Sequence, residues 1–175
     1  MSTPFQAYTH EGLLNGSLTA TGRLSDLLEL VDSLVVEAPV VQPLRGGPVL
    51  FRPRSVVPVD DLCLIVAPSG TTAPSMASWH EVELDCGPYH LKALLPTKPG
   101  FDPDRYAIRP GGTFVLLGKV VVSRFGANGA DGPSEYPLAW VNRYGVDSYS
   151  AMLDLDRFFP GVRRSQVGAG GARPH

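Results

Sequence analysis

Apolar residues occupy every second position in "HEVELDCG", where Val82, Leu84 and Cys86 alternate with Glu81, Glu83 and Asp85. A period of two predicts a strand with one buried face. The period lengthens in "GRLSDLLELV": Leu24, Leu27, Leu28 and Val31 make a helical stripe of about two turns. Thr21 or Ser25 stands where a cap is needed, and Asp26 where its charge favours the helix start. The β-branched run "LVVEAPVV" then predicts a return to strand. Extended chain is also predicted for "HEGLLNGSLTA", "PVLFRPRSVVPV", "DDLCLIVAPSG", "YHLKALLP", "TFVLLGKVVVSRF" and "LAWVNRYGVDSYSAML". Asn15-Gly16 fits either a hairpin turn or a bulge within one strand. Pro53 and Pro58 predict an edge or bulged strand, because proline donates nothing to a ladder. Gly46-Gly47 marks a turn, "SGTTAPS" at 69–75 a linker, and "GANGADGPSEYP" at 126–137 a long loop.

The order of these elements recurs. "SLVVEAPVV" lies over "TFVLLGKVV" about 80 positions later, and "LFRPRSVVPV" over "AWVNRYGVDS", with Arg54 over Arg143 and Val57 over Val146. Each half reads as strand, compact crossing, strand, turn, strand. An open sheet of this size leaves a face and two edges uncovered, a problem that packing or closing two units would solve. The expected fold is therefore all-β: two similar small barrel- or sandwich-like units, a short helix in the first, and extended terminal arms. The expected divisions are an arm at 1–9, β units at 10–72 and 73–160, and a tail at 161–175. In the first unit Leu24, Leu27 and Leu28 would plug one end. Pro96, Pro99 and Pro103 oppose an equivalent helix in the second, leaving Phe101 and Tyr106 to plug it.

Composition agrees with short strands and many turns, since 19 Gly and 17 Pro stand among 175 residues. The formal charge of -2 gives no reason to expect a phosphate backbone as partner. Arginines outnumber lysines, which suits fixed interface contacts. Nothing resembling a secretory leader opens the chain, and runs such as "FVLLG" and "CLIVA" are too short to cross a membrane. A cytoplasmic location is expected, with attachment to the periphery of a membrane complex left open. Cys63 and Cys86 sit in apolar strand patterns and read as buried free thiols, a disulfide being the alternative.

"GRLSDLLE" followed by "LVVEAPVV" resembles a motif of uncharacterised bacterial domains of small β-barrel type, in which a segment like R-L-S-D-L-L-N precedes an apolar strand. Residues 13–67 carry the resemblance, and "AWVNRYGVDSYS" is similar to the closing strand of that type. Glu29-Leu30 stands where the Asn is expected, and the second half lacks the Leu-rich helix. The resemblance implies a barrel fold and no activity.

No catalytic, cofactor or metal residues are assigned from the sequence. His80 and His90 flank the alternating strand and are the one histidine pair a hairpin could bring together. Asp102 with Asp104, and Asp154 with Asp156, have the alternate spacing that points two carboxylates one way, but neither turn supplies the other oxygens a calcium ion needs. No serine stands in a Gly-x-Ser-x-Gly elbow, and "GANGADG" and "RPGGTF" lack the partners of a phosphate cradle. Phe158 and Phe159 precede "PGVRR" and read either as a plug closing the domain or as an anchor into a partner.

These observations lead to an expectation of a non-catalytic accessory or scaffold subunit of a hetero-oligomeric protein assembly. Phe158, Phe159, Arg163 and Arg164 are the expected protein-contact residues. The competing expectation is a small-ligand-binding or enzymatic β domain with its pocket between the two units. Nucleic-acid binding would require Arg52, Arg54, Arg143 and the aromatics to converge on one face.

Overall fold

The computed structural model describes residues 2–19, 22–100, 112–125 and 132–165. The first half contains β1 (Ser2–Thr9), β2 (Gly12–Thr19), the helix α1 (Leu24–Leu30), β3 (Ser33–Pro43), β4 (Leu50–Phe51), β5 (Arg54–Pro58) and β6 (Leu62–Val66). The second contains β7 (Ser78–Cys86), β8 (Tyr89–Thr97), β9 (Phe114–Arg124), β10 (Ser134–Asn142), β11 (Ser148–Ala151) and β12 (Arg163–Arg164). Among the described residues the fold is all-β with one short α-helix. Strands lie in the order β12-β11-β7-β8-β9-β10-β6-β1-β2-β3-β4, and β5 also pairs with β3. Every pairing is antiparallel except that of β11 with β12.

The sheet is open, which corrects the expected barrel. Closing either half would require β5 to bond to β6, or β10 to β11. Instead β6, one edge taken by β1, gives its other edge to β10 through Val66, Ile65 and Leu64. One unbroken sheet thus spans both halves and ends at β12 and β4. Two separately closed units are not what the pairing forms.

Within that sheet the connectivity recurs. The strands β1, β2, β3 and β5 are successive antiparallel neighbours, and β6 returns beside β1. The strands β7, β8, β9 and β10 are likewise neighbours, and β11 returns beside β7. The residue matches expected from sequence slip against this order. Ser33 and Phe114 open equivalent strands, an offset of 81, and Val57 stands to Leu34 as Val141 stands to Val115, an offset of 84. Arg54 therefore corresponds to Leu138 rather than Arg143.

Two apolar cores lie on opposite sides of the central strands. One gathers Phe5, Ala7, Leu14, Leu18, Leu34, Val36, Leu62 and Ile65 with Leu24 and Leu28 of the helix. The other gathers the inward residues of β7 to β11 with Tyr8, Cys63 and Leu64. The strand β6 faces both, so its run "LCLI" is buried without alternation. Residues expected as a free N-terminal arm form β1, whose Phe5, Ala7 and Tyr8 are buried. Apolar residues on both faces near its end suit a strand held between two cores.

The helix α1 starts after Arg23 without a side-chain cap, and the Ser25 hydroxyl bonds to Asp26 instead. Thr21 lies outside the described residues, as do Phe101, Asp102, Pro103, Asp104 and Tyr106. Asn15-Gly16 is a bulge. Here β2 shifts register against β3, with Gly16 opposite Ala38 and Pro39. A Cβ on Gly16 would stand 2.5 Å from Val36 Cγ1, so the approach needs glycine. Residues 126–131 of the expected loop lie outside the described residues, while Ser134–Pro137 already belong to β10.

Candidate functional site

The register of the β7–β8 hairpin decides the histidine question. Asp85 faces His90 and His80 faces Leu95, so residues directly opposite always sum to the same value. His80 shares the inward face of Val82 and Leu84, and its ring contacts the Thr97 hydroxyl at 2.8 Å. His90 points from the outer face. The two histidines are not brought together.

On that outer face a polar ladder crosses three strands. Ser148 Oγ donates to Asp85 Oδ2 at 2.5 Å, and His90 Nδ1 lies 2.7 Å from Asp85 Oδ1. Glu83 accepts from Lys92 at 3.3 Å and stands 3.7 Å from His90 Nε2. The carboxylate stands between hydroxyl and imidazole, the reverse of the order that lets an imidazole take a serine proton. Cross-strand pairs of this kind support a sheet.

A tyrosine group, with Tyr8 and Tyr89 buried and Tyr136 half-buried, joins the two halves. Tyr8 and Tyr89 meet edge to face with centroids 5.0 Å apart. The Tyr8 and Tyr136 hydroxyls are 2.7 Å apart, and Tyr89 Oη donates to the Thr9 carbonyl at 2.8 Å. Burial pushes the Tyr8 and Tyr89 phenols above their ordinary range. Cys63 and Cys86 are buried free thiols, as the apolar pattern indicated. Cys86 Sγ contacts the Cys63 carbonyl at 3.8 Å, and its hydrogen bonding with Cys63, followed by burial, pushes the thiol up.

The expected protein-contact residues separate into two kinds. Phe158 and Phe159 are 6% and 0% exposed, packed in the second core, so the pair is the plug and not an outward anchor. Arg163 and Arg164 are exposed on β12, the strand at one end of the sheet. The Tyr149 hydroxyl draws Asp154 and Asp156 together, donating to Asp156 at 2.5 Å. The carboxylate pair therefore holds a phenol. The basic residues do not converge: Arg143 is buried, and Arg54 pairs with Glu37 at 3.3 Å.

Sequence reasoning missed the opposite end of the sheet. Phe51 is 69% exposed and Val56 63%, with Val49, Leu50 and Val35 exposed beside them. Val35 and Val56 are cross-strand partners, as are Val40 with Phe51 and Val41 with Leu50. A groove of about 320 Å³ beside this edge is lined by Leu14, Val41, Leu50, Arg52 and Val56 among others. The signal was present in "VLFRPRSVVPV", where apolar residues sit in a strand that two prolines mark as an edge.

Among the described residues no strand pairs with the outer edge of β5. Ala38 N–H donates to Pro53 O, and Val59 N–H to Asp32 O. By alternation the backbone groups of Ser55 and Val57 turn toward β3, and those of Arg54 and Val56 turn outward. Comparison with protein families, with curated proteins and with solved structures gave no match.

Proposed function

We propose that this chain is a non-catalytic accessory subunit that holds a protein assembly together through the two open ends of its sheet. The observation that carries the reading is the exposed apolar corner of β3, β4 and β5 beside a strand edge that no described residue pairs with. Apolar side chains exposed together at one place mark interaction surfaces more often than scattered ones do. An outward row of backbone donors and acceptors at Arg54 and Val56 lets an extended partner segment add a strand, while the Leu50–Val56 groove takes its side chains. Pro53 and Pro58 limit this ladder to a few residues, which disfavours indiscriminate edge pairing.

At the other end β12 offers Arg163 and Arg164, suited to carboxylates on a second partner. The subunit would bridge an apolar contact and a charged one. We propose a cytoplasmic setting, or the periphery of a membrane complex held by such contacts; among the described residues no helix is long and apolar enough to cross a membrane. Gentle purification from the native host, with wild type beside Leu50→Glu and Val56→Glu, tests the reading. The expected result is a defined partner that travels with wild type and is lost from both variants. Recovery of wild type as a lone monomer would count against it.

A further inference from the structure

A second concavity, of about 530 Å³, lies where the two halves meet. Its walls are Leu18 and Leu27 from the first half and Leu116 and Trp140 from the second. Leu116 and Trp140 are cross-strand partners on β9 and β10, so the indole and the leucine form one apolar floor. The rim is made differently. Hydroxyls of Thr3, Ser25, Ser69, Thr71 and Thr72 surround it, and among the described residues Arg23 is the one charged residue in the lining. Among the described residues no carboxylate lines the cleft.

The rim is held in position by local geometry. Thr71 N–H donates to the Pro68 carbonyl at 3.1 Å across a four-residue turn, and Gly70 takes the φ of +92° that the turn requires at its third place. Among the described residues the hydroxyls of Thr3, Ser69, Thr71 and Thr72 make no side-chain hydrogen bond, and Arg23 makes no ion pair. Among the described lining residues these donors thus stand around an apolar floor, and Ser25 beside Arg23 is already bonded to Asp26. The volume is that of a small-molecule site, and a largely apolar floor with a few polar groups is its usual composition.

We infer that this cleft binds a small amphipathic anion: a flat apolar body laid on Trp140 and Leu116, with its sulfonate, carboxylate or phosphate group beside Arg23 and the rim hydroxyls. The guanidinium fork supplies directional donors to such a group. The inference stands apart from docking at the β3–β5 corner, which lies on other residues.

A matched probe pair tests it. 8-Anilinonaphthalene-1-sulfonate carries the anion, and N-phenyl-1-naphthylamine is the same ring system without it. In Trp79→Phe protein the remaining tryptophan is Trp140, since the chain has two, and its emission falls as the sulfonate probe seats. The expected result is saturable one-site binding, at least tenfold tighter for the sulfonate than for the neutral amine. Arg23→Gln should lose that preference, Arg23→Lys should restore at least part of it, and Leu50→Glu should leave it within twofold. Circular dichroism of each variant checks that the exposed substitutions leave the fold intact. Equal affinity for the two probes, sulfonate binding undisturbed by Arg23→Gln, loss of binding in Leu50→Glu, or no saturable change in Trp140 emission would each overturn the assignment.

Discussion

Ala38 and Lys119 hold the same place in two different strands. Each is the sixth residue of eleven, in β3 and β9, and each has a left-handed φ, +47° and +48° rounded to a degree of one another. Both open a bulge: Ala38 and Pro39 stand opposite Gly16, and Lys119 and Val120 opposite Ala93. On the other side each faces a proline by register, Pro53 and Pro137. Proline has no N–H to strand where the partner backbone turns away, so this is a place in a ladder that tolerates it. The recurrence of the bulge explains how two halves with little residue identity share one connectivity.

Neither residue suits that conformation. A non-glycine residue there carries strain of about 1 kcal/mol or more. Lys119→Gly, on an exposed side chain, should raise unfolding free energy by about 0.5–1 kcal/mol in urea titration, and Ala38→Gly should act in the same direction. Lys119→Val should lower it by about 1–2 kcal/mol. Destabilisation by Lys119→Gly would mean that the bulge is not formed as described.

The plug is tested by contrast within one segment. Phe159 is fully buried, and Phe159→Ala should cost about 3–5 kcal/mol by loss of burial and the cavity left behind. Arg163→Gln with Arg164→Gln should change stability by no more than about 0.5 kcal/mol, as exposed substitutions do. Denaturant midpoints at unchanged slope distinguish the two outcomes.

Alkaline pH should weaken the fold through its buried phenols. Burial, and then the hydrogen bond to Asp156, push Tyr149 up to about 12, and burial raises Tyr8 and Tyr89 as well. An unfolded phenol releases its proton near pH 10, while the folded one keeps it. The folded state then binds more protons, so stability is full below pH 10 and falls as pH rises from 10 toward 12. Tyr149→Phe should flatten the decline in melting temperature over that interval. An equal decline in the variant would remove Tyr149 as a cause.

Much of this architecture can be read directly from residue order. The alternation of Val82, Leu84 and Cys86 locates β7 and its buried face, and Leu24 with Leu28 locates the buried side of α1. The succession of strands from β2 to β9 is legible, whereas β1 reads as an arm and β10 with β11 as one extended run. Closure is not legible, because pattern shows that β6 needs partners but not that its second partner is β10. The N-terminal strand was obscured for a related reason: Phe5 and Tyr8 do not alternate, since they face different cores. The two prolines of "FRPRSVVPV" pointed to an edge, yet only the paired strands show which apolar residues beside it are exposed. Cleft residues such as Arg23 and Trp140 are 117 positions apart and meet only through the sheet order.

Amide hydrogen exchange at the β5 edge tests the docking account most directly. In the complex purified from the native host, the amides of Arg54 and Val56 should exchange at least tenfold more slowly than in the isolated chain, and Val56→Glu should abolish both complex and protection. A complex that forms with those amides exchanging at the free rate, or that survives Val56→Glu intact, would contradict it.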